Sequence, residues 1–292
     1  MSKRTLRLAV CLSLAATLIG LSGSAMAHGK PAKPSCSTTM TGGKVNGTLT
    51  VPDSATCTLD GTLVTGNVKV GDHSTLITQG AHIGGGIDAD GSAAVTLGCN
   101  GACTVLTATT VGGNINSDDG GAISVTGADI TGGLNSDHPA SVAVASSFIG
   151  GNLHSEDAVT MSVQGSTIGG NLHSDFADSV QVTGTNVGGN LEIENTQVPP
   201  GPPAPASFVC DTSVGNNLAL SGNQALITVG ASPACTTANS ISGDLRAMNN
   251  DGGVTISNNV ITENLNCKNN TPAPTGSGNT VGQNEIGQCT GF

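Results

Sequence analysis

A period of about nineteen residues runs through nearly the whole chain and limits what it can fold into more than any other feature. An aliphatic residue, usually with glycine two places later and Leu, Ile or Val four places later, recurs as Val45, Val64, Ile83, Val111, Ile130, Ile149, Ile168, Val187, Val214, Ile241, Ile261 and Val281. The successive spacings are 19, 19, 28, 19, 19, 19, 19, 27, 27, 20 and 20. The run from Ile149 to Ser155 returns unchanged from Ile168 to Ser174. Such a period is the mark of a solenoid, in which each repeat buries its apolar face against the next.

Within a repeat the apolar residues alternate. Four places after every anchor but the last stand Leu49, Val68, Ile87, Ile115, Leu134, Leu153, Leu172, Leu191, Leu218, Leu245 and Leu265. At plus twelve and plus fourteen stand pairs such as Val95/Leu97, Ile123/Val125, Val142/Val144 and Val180/Val182. Period two in short runs bounded by Gly and Asn means strands with one buried face, and no segment has helical spacing. The expected fold is all-β: a single-stranded parallel β-helix (β-solenoid) of about 19 residues per turn, right-handed, with two or three short strands per turn. Eleven steps of about 4.8 Å give a rod about 50 Å long. Glycine at plus two allows a turn or a close approach of backbones, and asparagine at plus three can stack as an amide ladder.

The beginning of the chain reads as an address. Lys3, Arg4 and Arg7 precede a short apolar stretch, and Ala25-Met26-Ala27 supplies a cleavage pattern, so residues 1–27 are expected to be a signal peptide. Val10 before Cys11, and the shortness of the preceding apolar run, argue against a lipoprotein box. Residues 28–44 form an N-terminal segment and cap, and 45–292 the solenoid. Insertions are expected near 98–107, 196–210 and 230–238. The first and last of these leave the rod at one corner, and the second is the Pro-rich run from Val198 to Pro205, which cannot be a central strand.

Without the signal the chain keeps 9 − 3 = 6 Lys/Arg against 20 Asp/Glu, a net charge of −14. That balance disfavours nucleic acid and anionic lipid and leaves divalent cations and basic partners open. No Trp or Tyr is present and only four Phe, so the core rests on small aliphatics, and stacking platforms for sugars or bases are nearly excluded. Glycine, Asn, Ser and Thr alone would permit disorder; the periodicity argues otherwise.

Eight cysteines remain after export, an even number suited to an oxidising compartment. Spacing pairs Cys36 with Cys57 and Cys267 with Cys289, each about one turn apart at one end of the rod. Cys210 and Cys235 flank the long rung at Val214, and Cys99 and Cys103 share a loop. No CxxC pair favours zinc.

One constellation carries candidate chemistry. At plus five lie Asp88, Asn116, Asn135, His154 and His173; at plus seven Asp90, Asp118, Asp137, Glu156, Asp175 and Glu194; plus eight adds Asp119, His138 and Asp157. Stacking turns these into columns. The candidate metal residues are Asp90, Asp118, Asp137, Glu156, Asp175, Glu194, His154 and His173. Oxygen columns suit Ca²⁺, and His with carboxylate suits Zn²⁺ or Cu²⁺; the alternative is a solvated turn that keeps the rod soluble. No phosphate loop or nucleophile motif is visible. The expected function is therefore a secreted, periplasmic or cell-surface structural or adhesive rod, without catalytic activity, a required cofactor or membrane insertion. Its surface or protein partner is not identified by the sequence. A Ca²⁺- or transition-metal-binding surface protein is the alternative, and a glycan-active β-helix enzyme a more distant one. An ice- or crystal-binding face would want a regular Thr-x-Thr array, and Thr48/Thr50 and Thr107/Thr109 do not make one.

The repeats Val64-Thr65-Gly66-Asn67-Val68 and Ile149-Gly150-Gly151-Asn152-Leu153, and the ending with Cys267, Gly278-Asn279-Thr280-Val281 and Cys289, resemble those of a widespread group of secreted bacterial β-solenoid repeat proteins of unknown function. More distantly they resemble the bactofilins, cytoplasmic polymer-forming β-helical proteins. The resemblance covers about residue 36 to the end and implies a β-helix. The signal peptide and stapled ends depart from the bactofilin pattern and put end-to-end polymerisation in doubt.

Overall fold

Each turn of the chain is three short strands. The turn anchored at Ile149 is representative: Phe148–Ile149, then Leu153–Glu156, then Thr160–Gln164. The computed structural model describes residues 33–292 apart from 100, 102, 105–106, 199–205, 231–234 and 236. The expected signal peptide and most of the Pro-rich run lie outside the described residues. Within Lys33–Phe292, one compact unit, the strands stack into three parallel sheets of twelve strands each. The anchors make the first sheet, the plus-four segments the second, and the plus-twelve segments the third.

The register is the one that the repeat dictates. Ile149 pairs with Ile168, Leu153 with Leu172, and Met161 with Val180. Strands alternate in burial, so Leu153 and Ser155 point inward while His154 and Glu156 point outward. The core is a stack of Val, Ile, Leu and Ala, with Cys36, Cys57, Cys267 and Cys289 joining it at the two ends. The coil begins before Val45: Thr39–Thr41 already pairs with Thr58–Asp60 in the third sheet, and Ser35 bridges Thr50.

Two corners need a left-handed residue. At plus eight the non-glycine residues Asp119, His138, Asp157, Phe176 and Asn195 have φ of 47–55°, a region that Asp, Asn and His enter more readily than most residues. Three places before the anchor, glycine usually does the same work, as at Gly127, Gly165 and Gly184, with Ser146 among them at φ 49°.

Glycine at plus two and asparagine at plus three act as a pair across rungs. A Cβ on Gly170 would collide with Asn152 Oδ1 from the rung before. That oxygen instead reaches over the glycine to accept the Asn171 N–H at 2.9 Å. Asn171 Oδ1 does the same for the Asn190 N–H at 2.9 Å, and Asn190 for Asn217 at 3.2 Å. The plus-three column is thus mainly side-chain oxygens capping backbone donors, rather than the expected amide-on-amide ladder. Amide ladders occur elsewhere, buried near the C-terminal end. One runs Asn223–Asn250–Asn270–Gln288 and another Asn239–Asn259–Asn279.

All four spacing-derived cysteine pairs are bonded: Cys36–Cys57, Cys99–Cys103, Cys210–Cys235 and Cys267–Cys289, with Cα–Cα distances of 5.4, 5.1, 5.6 and 5.3 Å. The insertions of the Ile83 and Val214 rungs leave between a third-sheet strand and the next first-sheet strand. The Val187 insertion leaves at a different corner, between Leu191–Glu194 of the second sheet and Ser207–Cys210 of the third.

Candidate functional site

The second sheet places the polar columns. In its four-residue strands plus four and plus six face inward, so plus five and plus seven must face out, and the left-handed residue at plus eight turns the chain beside them. Register pairing runs Asp118–Asp137–Glu156–Asp175–Glu194 in one column and Asn116–Asn135–His154–His173–Glu192 in the other. Asp88, Asp90, Asn116, Asp118, Asn135, Asp137, His154 and Glu156 line an open depression of about 390 Å³.

Charge on this face is unbalanced. No Lys or Arg stands between Lys69 and Arg246. Lys69 reaches Asp88 at 3.4 Å at one edge, but beyond it the only basic side chains in this stretch are imidazoles. His138 sits among three carboxylates: Nδ1 lies 2.7 Å from Asp137 Oδ1 and 3.8 Å from Asp119 Oδ1, and Nε2 lies 3.3 Å from Asp157 Oδ2. The Asp137 contact is close but not aligned as a hydrogen bond, and that oxygen has no other partner.

On the next two rungs, His154 Nδ1 and His173 Nδ1 are 3.1 Å apart, with the rings tilted by 46°. His173 Nε2 faces Glu194 Oε2 at 3.5 Å, within ion-pair reach, yet that nitrogen is buried and makes no hydrogen bond. Asn195 Nδ2 donates to Asp175 Oδ1 at 2.9 Å. Beneath them the inward hydroxyls of Ser155 and Ser174 are buried without partners.

Among the described residues, three groups bring His and carboxylate ligand atoms within 4.8 Å of one another: Asp118/Asp119/His138, Asp137/His138/Asp157, and His173/Asp175/Glu194. Of the sequence-derived metal set, Asp118, Asp137, His173, Asp175 and Glu194 enter such a group. Asp90, Glu156 and His154 do not, although all three line the depression. The sequence-derived metal set left out His138, Asp119 and Asp157 at plus eight. Their signal was a His between two Asp at the same position of successive repeats.

The third sheet presents a contrasting face. Its outward residues are mostly short and uncharged, as in Thr56, Thr58, Thr75, Thr96, Ser124, Ser162, Thr228 and Thr255, with Ile77 and Phe208 as apolar interruptions and Asp60 the one charged strand residue. No family model matches the chain, and no curated protein or solved structure matches it.

Proposed function

We propose that the chain is an exported, non-catalytic rod that serves outside the cytoplasm as a structural or adhesive element. The observation that carries this reading is the third-sheet face: twelve strands whose outward side is mainly Thr, Ser, Ala and Gln, interrupted by Ile77 and Phe208, and almost free of charge. A face of this kind offers many weak hydrogen bonds spread over a broad area, which is what holding a polymer surface requires. Catalysis asks instead for acid and base groups converging on one bound substrate. The four disulfides are compatible with an oxidising compartment. Among the described residues no helix is long and apolar enough to cross a membrane.

The test uses the mature, oxidised protein starting at His28. Its retention on insoluble polysaccharides (cellulose, chitin and peptidoglycan) is compared with that of a Thr96→Lys/Ser162→Lys double variant, which puts charge on the face without touching the core. Retention by the wild type and its loss in the variant is expected. Equal retention by both proteins, or release of soluble sugar, would overturn the reading.

A further inference from the structure

We propose that His173, Asp175 and Glu194 form a binding site for a divalent transition-metal ion of the Zn²⁺ or Cu²⁺ type, with His154 and Asn195 as its positioning residues. This goes beyond the role of the rod itself and is independent of the third-sheet face.

The geometry carries the proposal. One ligand atom from each of the three residues lies within 4.8 Å of the other two. The 3.5 Å between His173 Nε2 and Glu194 Oε2 is close to the roughly 3.3 Å that separates two ligands of a tetrahedral ion bound at about 2.0–2.1 Å. The side chains are 28% and 35% exposed, held by the sheet but open on one side, so water can complete the coordination.

The imidazole pair shares one proton between the two Nδ1 atoms across 3.1 Å. In the tautomer in which His173 Nδ1 donates it, the His173 Nε2 lone pair is turned toward the Glu194 carboxylate. Two acceptors then face each other with nothing between them, in agreement with an Nε2 that is buried and makes no hydrogen bond. A cation resolves that arrangement. It is also the counter-charge that the chain does not supply, since no Lys or Arg occurs between Lys69 and Arg246. His154 Nδ1 stands where a carboxylate, carbonyl or water ordinarily fixes the orientation of a metal-bound imidazole, and Asn195 holds Asp175 at 2.9 Å. One imidazole and two carboxylates suit Zn²⁺ or Cu²⁺ better than Ca²⁺, which wants six to eight oxygens. The His138 cluster is the weaker candidate: its ring is 56% exposed, and Nδ1 already lies against Asp137 at 2.7 Å.

Calorimetric titration of the oxidised mature protein with Zn²⁺, and separately with Ca²⁺, tests the site. The expected result is saturable Zn²⁺ binding that His173→Ala and Glu194→Gln each weaken at least tenfold. His154→Phe should weaken it by about tenfold, and His138→Ala should leave it unchanged. Glu194→Gln keeps the side-chain shape, so it reads the site even where a histidine variant folds poorly, and thermal unfolding identifies that case. The proposal is overturned by wild-type affinity in His173→Ala or Glu194→Gln, by loss confined to His138→Ala, by Ca²⁺ binding without Zn²⁺ binding, or by no Zn²⁺ binding at millimolar concentrations.

Discussion

Asp244 shows how much one residue can change in a repeating structure. It stands in the plus-three column that asparagine otherwise dominates, and it keeps the column's function by accepting the Asn264 N–H and side-chain amide, each at 2.9 Å. Its second oxygen accepts from Arg246 at 2.7 Å. Burial pushes the carboxyl up, but the hydrogen bonds from Asn264 and Arg246, with the charge of that guanidinium, outweigh burial and hold it below its ordinary value. A depressed folded pKa means that the carboxylate stabilises the fold above the ordinary Asp value of about 3.9. That contribution is lost as pH falls through the lower folded value. Asp244→Asn keeps the acceptor and drops the charge, so it should cost about 1 kcal/mol at neutral pH. The gap to the wild type should close as the pH falls below about 3.9. Urea unfolding on both sides of that pH measures it, and a gap that persists in acid contradicts the assignment.

At the scale of the strand stack, the two kinds of asparagine column should differ in energy. Asn152 is exposed and caps one backbone donor. Asn250 is buried, donates to Leu220 O and Asn270 Oδ1, and accepts from the Asn223 backbone and side chain. Removing Asn250 strands several buried partners at once, so Asn250→Ala should cost about 2–4 kcal/mol, against roughly 1 kcal/mol or less for Asn152→Ala. Denaturant unfolding of the two variants gives the comparison, and equal losses would mean that burial does not set the cost. The exposed column could be read from the chain because its asparagines follow glycine at a fixed offset. The buried ladders could not, since Asn223, Asn239 and Asn250 look like turn residues and the earlier rungs fill the Asn239 position with Thr185 and Thr212. The first-sheet strands were legible only as lone anchors, because two residues such as Phe148–Ile149 show no alternation. The site was half legible for a related reason. The repeat aligns His154 with His173 and Asp175 with Glu194, but the diagonal approach of the His173 ring to Glu194 at 3.5 Å is a side-chain orientation that spacing does not encode.

The unit Lys33–Phe292 is a one-dimensional stack, in which each layer is held by the two beside it and the end layers by one. The bridges Cys36–Cys57 and Cys267–Cys289 lie at those ends and join the core cluster there. A bridge closing a loop of about this size contributes on the order of 3 kcal/mol. Replacing either pair with serine should therefore weaken its own end most, and the exposed strand edges should then pair between molecules. Limited proteolysis should cut first near the altered end, and sedimentation velocity should show larger species; a monomer cut elsewhere would contradict both. The run Ile149–Ser155 stands directly beneath its own copy, Ile168–Ser174. Residues 149–167 can be excised, or copied once more, with Phe148 or its equivalent still leading into an isoleucine and every column unbroken. Length in this molecule is therefore quantised: it can be inherited, lost or gained only in whole layers of about 4.8 Å. A gene of this kind measures distance by counting.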